Sequence, residues 1–325
     1  MVVIASTPVN IAPLLSPASC NHRVLHLPNF KECTTIRRQT TKGLFMLQAL
    51  KRMIRRRDVP KPCPPSGINL DALHERDSTL TGWFNTDSRE LFEGFVIDPD
   101  DLVVDVGCGE GLSAQFAVRC GAEVIATDSD PERVEYATKL IQAMAKRDFR
   151  VLQSDSNPLP LDDGIASKVI CQEVLEHVDE PQQLMSELVR IGDASAQYLL
   201  CVPDPVSESI QREVADSVIW EKPFHIRVFE HDQFDRLVQD AGLVIEKRGC
   251  GSFYWTMMLM LFWASELDFD ALTGAAVKSW YEQPLMREWA KTWQTLLATP
   301  KGVRVKRAFD KFMPKSQIII ARKPA

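Results

Sequence analysis

From about residue 100 the chain repeats one order: a short β-branched apolar run, a turn, then a stretch whose apolar positions fall three and four apart. The runs "LVVDVG" (102–107), "AEVIATD" (122–128), "FRVLQSD" (149–155), "SKVICQE" (167–173) and "AQYLLCVPD" (196–204) predict buried strands. Between them "GLSAQFAVRCG" (111–121), "PERVEYATKLIQAMAKR" (131–147) and "PQQLMSELVRIG" (181–192) predict helices, the second opened by Pro131 in a favoured first-turn position. A further amphipathic helix, "HDQFDRLVQDAG" (231–242), leads into "LVIEKRG" (243–249), and the chain closes on the apolar run "SQIIIARKP". Strands alternating with helices predict an α/β, doubly wound, parallel sheet with ligands at the carboxyl ends of the strands. The last strand must return to that sheet, so the body from 68 to 325 is read as undivided, with a helical, aromatic-rich insertion at about 250–315. Ahead of the sheet, residues 68–97 carry helical periods anchored by Trp83, Phe84, Phe92 and Phe95.

Residues 1–45 show no sustained period, are rich in Ser, Thr and Pro, and are expected not to pack. A disordered tail or sequence upstream of a start at Met46 is preferred to a cleaved targeting peptide. "MLQALKRMIRRRD" (46–58) predicts an amphipathic basic helix near 46–57, docked on its own protein, solvated or touching a membrane surface, followed by a stiff Pro-rich linker to Gly67. Charge sharpens this division. The net charge is −6, but residues 1–57 hold ten Lys and Arg against the single acid Glu32, which leaves −15 on residues 58–325. An acidic body argues against binding to duplex nucleic acid, where phosphate contacts need a basic face. The eight cysteines include no CxxC pair and no zinc-like spacing, and are expected to be reduced thiols of a cytoplasmic protein.

Chemistry concentrates at "DLVVDVGCGEGLSAQF" (101–116), where Gly107, Gly109 and Gly111 stand between a strand and a helix. Residues without a Cβ let backbone approach a ligand, and a helix start offers free N–H groups. The dinucleotide fingerprint would place glycine at 112, where Leu112 stands, and a P-loop would place lysine where none occurs before Lys139. Three acids sit at strand ends nearby: Asp105 before the glycines, Asp128 in "ATDSD" and Asp155 in "QSDSN". Together they would repel a polyphosphate and accept from an ammonium, a ribose diol and an adenine amino group.

With "VVDVGCGEG" (103–111), "ATDSD" and "SDSNPLPLDDGIASKVICQEVLEHVDEP" (154–181), the chain resembles the class I S-adenosylmethionine-dependent methyltransferases, specifically the ubiquinone/menaquinone-type (type 11) small-molecule enzymes. The resemblance continues through "FHIRVFEHDQFDRLVQDAGLVIEKRG" and the terminal "IIIARKP". It implies a Rossmann-like seven-stranded sheet, mostly parallel with an antiparallel last strand, and S-adenosyl-L-methionine as cofactor. Asp105, Gly107, Gly109 and Gly111 would surround the methionine part and Asp128 the ribose hydroxyls. Asp155 and Ser156 would lie at the adenine, with Gln172 and Glu173 near the reactive end. One departure, "IGDASAQ" (191–197) in place of a Gly-Gly turn, changes a loop outside that site.

Methyl transfer from a sulfonium is an in-line displacement, so the protein mainly positions the nucleophile and excludes water. His177 and His225 are the candidate bases for an oxygen or amine acceptor, with Tyr254 a weaker third; a structural hydrogen bond would explain His177 equally well. Glu173 and His177 do not form HExxH, no third ligand is spaced for a metal, and none is expected. Within the insertion, "FYWTMMLMLFWA" (253–264) is about 18 Å long as a helix, too short for a hydrocarbon core of roughly 30 Å. Five of the seven tryptophans lie between 253 and 293, with Leu285, Trp289 and Trp293 expected on one helix face. A cap packed on the sheet, a site for a hydrophobic or lipid-linked acceptor, a homodimer contact and peripheral membrane docking all suit this composition. The run 301–315, with six cations and one acid, adds a preference for an anionic surface. Methyl transfer to a small molecule is the preferred function; the alternative is a catalytically inactive member kept for binding or assembly.

Overall fold

The computed structural model describes residues 68–267 and 279–324, which places residues 1–67, including the expected helix at 46–57 and the linker after it, outside the described residues. Helix α1 (Leu70–Thr81) starts where the Asn69 side chain accepts from the Ala72 amide and stops at Gly82, left-handed at φ 108°. The helical expectation for 68–97 ends there. The chain continues as a three-stranded antiparallel meander, β1 (Trp83–Asn85), β2 (Glu90–Phe92) and β3 (Phe95–Val96). The reversal is local: the Asn85 carboxamide accepts from the amides of Asp87 and Ser88, and Gly94 takes φ 95° between the second and third strands. Phe92 and Phe95 are thereby buried against the main sheet.

The main sheet is built from β4 (Leu102–Val106), β5 (Glu123–Asp128), β6 (Phe149–Gln153), β7 (Ala166–Gln172), β8 (Gly192–Pro203), β9 (Val244–Cys250) and β10 (Ser316–Arg322). Its order is β6-β5-β4-β7-β8-β10-β9. The pairs from β6 through β8 are parallel, and β10 runs antiparallel to both β8 and β9, so the mostly parallel, seven-stranded expectation holds. The fifth strand begins earlier than its sequence suggests, at Gly192. Helices α2 (Leu112–Cys120), α3 (Pro131–Gln142), α4 (Pro181–Ile191), α5 (Pro205–Gln211) and α6 (His231–Asp240) follow their strands. Alternate residues of β4 face opposite cores. Val104 and Val106 join Leu184, Leu188, Phe234 and Val238, while Val103 joins Phe116, Ala117, Ala137 and Ile141. A sheet covered on both faces explains why its strands read as continuous apolar runs.

Between β9 and β10 stand α7 (Phe253–Ala264), α8 (Pro284–Ala298) and α9 (Gly302–Phe312). With Leu73 of α1 they enclose a third apolar cluster of their own, containing Phe253, Tyr254, Phe262, Trp263, Trp280 and Trp293. A buried polar knot fastens it: Lys306 Nζ lies 2.7 Å from Asp310 Oδ2, 2.7 Å from Thr81 Oγ1 and 3.3 Å from Asp77 Oδ1. Asp77 also accepts from Trp293 Nε1 at 2.7 Å and from Ser252 Oγ at 2.5 Å. Two expectations for this segment change. Leu285 is 53% exposed while Trp293 is buried, because Leu285 lies in the first turn of α8, on the side facing solvent. Tyr254 is fully buried, its hydroxyl paired with that of Tyr281 at 2.8 Å, and burial pushes its pKa far up, which removes it as a base. Among the described residues, no helix is long and apolar enough to cross a membrane.

Candidate functional site

The order of strands reverses around β4, whose neighbours β5 and β7 lead in opposite directions, and a crevice opens at such a point beyond the carboxyl ends. The glycine turn lies there. A Cβ on Gly107 would strike Val174 Cγ2 at 2.3 Å, so this glycine is required by packing. A Cβ on Gly109 would meet nothing within 4 Å: its open face, at φ 55°, is where a ligand can lie against backbone. Beyond it α2 begins at Gly111 without a side-chain cap, and of its first-turn amides that of Ala114 meets the Asp105 carboxylate.

Asp105 and Asp128 are both brought to this turn. Asp105 is 3% exposed and its Oδ2 has no hydrogen-bond partner among the described residues. Burial raises its carboxyl to about 7 against the Ala114 amide, which favours the charged form, and the Asp128 charge adds to the rise. An orphaned buried carboxylate oxygen beside an open glycine face fits a ligand bearing an ammonium group. Asp128 already accepts from the Gly109 amide at 2.8 Å and from the Asp130 amide at 3.0 Å, so it also holds the turn in shape. Asp155 is exposed and accepts from the Asn157 amide, while Ser156 is buried at φ 64°. Gln172, at the end of β7, accepts from Ser113 Oγ at 2.5 Å and so joins that strand to the start of α2.

Glu173 follows Gln172 at the end of β7. It takes φ 55° directly after β7, and its carboxylate meets Lys315 Nζ at 2.6 Å, Ser316 Oγ at 2.7 Å and Cys201 Sγ at 3.2 Å. Burial would raise its pKa, but Lys315 and the two hydroxyl and thiol donors prevail and hold it down to about 2. The side chain is thus engaged with β8 and the start of β10.

The histidines do converge. The rings of His177 and His225 pack edge to face with centroids 5.0 Å apart. His177 Nδ1 sits 3.1 Å from the Pro223 carbonyl, and His225 Nδ1 sits 2.9 Å from Glu208 Oε2. Burial, followed by the neighbouring His225, lowers the His177 pKa. Glu176 lies against them, 1% exposed, with Oε1 3.7 Å from His177 Nε2 and neither carboxylate oxygen hydrogen-bonded within the described residues. Its pKa is pushed well up by burial and then by the Glu173 charge. Its carbonyl accepts from the Ile226 amide at 3.1 Å, which fixes the 221–229 segment over the end of β7. Glu176 and Glu208 escape sequence reasoning because neither stands at a strand end beside the glycine turn, and their neighbours in "EVLEHV" and "PVSESI" carry no signal that pairs them with His177 and His225.

Residues 104–197 match the family described as a methyltransferase domain. The chain is 28% identical over 175 residues to a "probable S-adenosylmethionine-dependent methyltransferase" of Mycobacterium tuberculosis, covering 54% of this chain and 57% of the relative. It is 39% identical over 84 residues to a ubiquinone biosynthesis O-methyltransferase of Xanthomonas campestris, covering 26% and 35%. The chain thus spans about half the length, or less, of these curated relatives. Among solved structures, a geranyl diphosphate C-methyltransferase from Streptomyces coelicolor superposes with a TM-score of 0.45 at 16% identity, over 78% of this chain and 80% of that one.

Proposed function

We propose, for a chain that carries a class I S-adenosylmethionine-dependent methyltransferase domain, that the whole protein transfers a methyl group from S-adenosyl-L-methionine to a small-molecule acceptor. The observation that carries this is the open face of Gly109 beside the unpartnered Oδ2 of Asp105 and the Asp128 turn. Asp105 takes the ammonium group, the first amides of α2 take the carboxylate of the methionine part, and Gly109 gives the ligand room. Asp128 accepts from the ribose hydroxyls and Ser156, with Asp155, borders the adenine. Gln172 lines the reactive end, whereas Glu173 shapes that end through its Lys315 and Ser316 contacts.

When bound, the cofactor supplies an electrophilic methyl group on sulfur. His177 and His225, which lie together beyond β7, are assigned to the acceptor and act on its proton. The polar groups around them support an acceptor with an oxygen or nitrogen head. A hydrophobic or lipid-linked remainder is supported by Leu112, 63% exposed at the start of α2, and by α9, which exposes Phe309 and Phe312 among Arg304, Arg307 and Lys311. That same face supports a peripheral contact with an anionic membrane surface. The intact glycine turn and its acids disfavour an inactive binding protein, which has no need to keep a buried carboxylate with one oxygen unpartnered.

Calorimetry with S-adenosyl-L-methionine tests the cofactor assignment. The native chain should bind, and Gly109→Val, whose side chain would fill the open face, should lose about 100-fold in affinity; equal binding by both would defeat the assignment. Transfer of a labelled methyl group into polar and lipid extracts, with product identification, then tests catalysis: no labelled product in either fraction would return the inactive alternative.

A further inference from the structure

We infer that Glu176, His177 and His225 form a binding site for a divalent transition-metal ion at the acceptor end of the crevice. The inference rests on the assignment of that end to the acceptor and deepens it: the histidines would act on the acceptor's proton through a coordinated ion.

One donor atom from each of the three residues lies within 4.8 Å of the others. In tetrahedral coordination with bonds near 2.1 Å, ligand atoms stand about 3.4 Å apart, so the 3.7 Å between Glu176 Oε1 and His177 Nε2 is close to that spacing already. Glu176 is the telling member. A carboxylate that is 1% exposed with two unpartnered oxygens is costly unless something cationic meets it, and the His177 imidazole faces it at 3.7 Å. Lys315, whose charge reaches Glu176, makes its direct contact with Glu173 at 2.6 Å.

The rings are also prepared for the task. The Pro223 carbonyl and the Glu208 carboxylate each sit on an Nδ1, the arrangement that fixes a ligating histidine's tautomer and raises its basicity. Glu208 is itself 2% exposed and held by Gln211 Nε2 at 3.0 Å, so it can hold His225 firmly. Two imidazoles that keep part of their side chains exposed, 32% for His177 and 25% for His225, and one buried carboxylate suit zinc or manganese, which would polarise an acceptor hydroxyl. The bookkeeping is simple: the hydroxyl proton leaves to water, the oxygen forms a bond to the methyl carbon, and the carbon–sulfur bond breaks with its electron pair staying on sulfur as the thioether.

The test uses the full chain, stripped with EDTA and titrated with Mn2+, which thiols bind poorly. Spin resonance counts bound ion, and thermal melting with and without it gives an independent reading. One equivalent should bind with Kd below about 10 μM, and the melting temperature should rise. Glu176→Gln and His225→Ala should each weaken binding at least 100-fold. The isosteric Glu176→Gln chain should melt at or above the stripped native chain, which shows that it folds. No saturable binding by the native chain, or equal binding by Glu176→Gln, overturns the site. S-adenosyl-L-methionine affinity, measured on the same stripped sample, separates the two assignments: cofactor binding without metal binding defeats the metal site alone, whereas metal binding without cofactor binding upholds the site and defeats the methyltransferase assignment.

Discussion

Asp105 carries a cost that its surroundings do not relieve. Its carboxyl is raised to about 7 by burial, against roughly 4 in an unfolded chain, so folding favours the protonated form. Its contribution to stability is therefore full below about pH 4 and is lost as pH rises through about 7. Asp105→Asn, which keeps the shape without the charge, should be roughly 3 kcal/mol more stable relative to the native chain at pH 8 than at pH 4, by denaturant unfolding of the cofactor-free protein at both values. The same substitution should abolish cofactor binding, so the stabilised protein is the inactive one. Asp105, Asp128 and the three glycines were legible because they lie within 24 residues and at ends of strands that the apolar runs mark. The partners of Glu173 and of the histidines were not. Lys315 reaches Glu173 across 142 positions and Glu208 reaches His225 from helix α5, and a single sequence has no signal that couples such residues.

At the scale of elements, the strands and their helices follow from alternation of apolar runs with amphipathic stretches, which reports burial on two faces. The meander over 83–96 fails that test. Strands of two or three residues show too few repeats for a period of two to emerge, and aromatic residues suit helix and strand alike there. The helical cap gives the opposite lesson. "FYWTMMLMLFWA" is apolar all round because α7 is surrounded, with Ala264 its one exposed residue, so the run serves packing within the cap. What holds α9 to α1 is charge. Lys306→Met would leave Asp77 and Asp310 buried without their cation and should cost about 3–5 kcal/mol in denaturant unfolding. Loss of less than about 1 kcal/mol would mean that the knot is replaceable by apolar contact.

For the molecule as a whole, charge is uneven: the acidic body turns a basic face outward on α9, where Phe312 is 74% exposed. Sedimentation with vesicles rich in phosphatidylglycerol should retain the protein at low salt and release most of it at about 0.5 M salt, where screening shortens to a few ångströms. Phe312→Ser should weaken retention several-fold while leaving cofactor affinity unchanged, and retention indifferent to that substitution would remove the face from consideration. One feature of the sheet bears on how the chain is made. Strand β10 lies between β8 and β9, and the residues beside it, Lys315 and Ser316, supply the groups that hold Glu173. A ribosome delivers β9 and the entire cap before the strand that joins β9 to the rest, so the nascent protein carries an unfilled slot in its sheet until β10 (Ser316–Arg322) emerges. Any message that stops short of residue 316 would therefore yield a chain with two unpaired edges and an unfinished site, a substrate for quality control rather than a shorter enzyme.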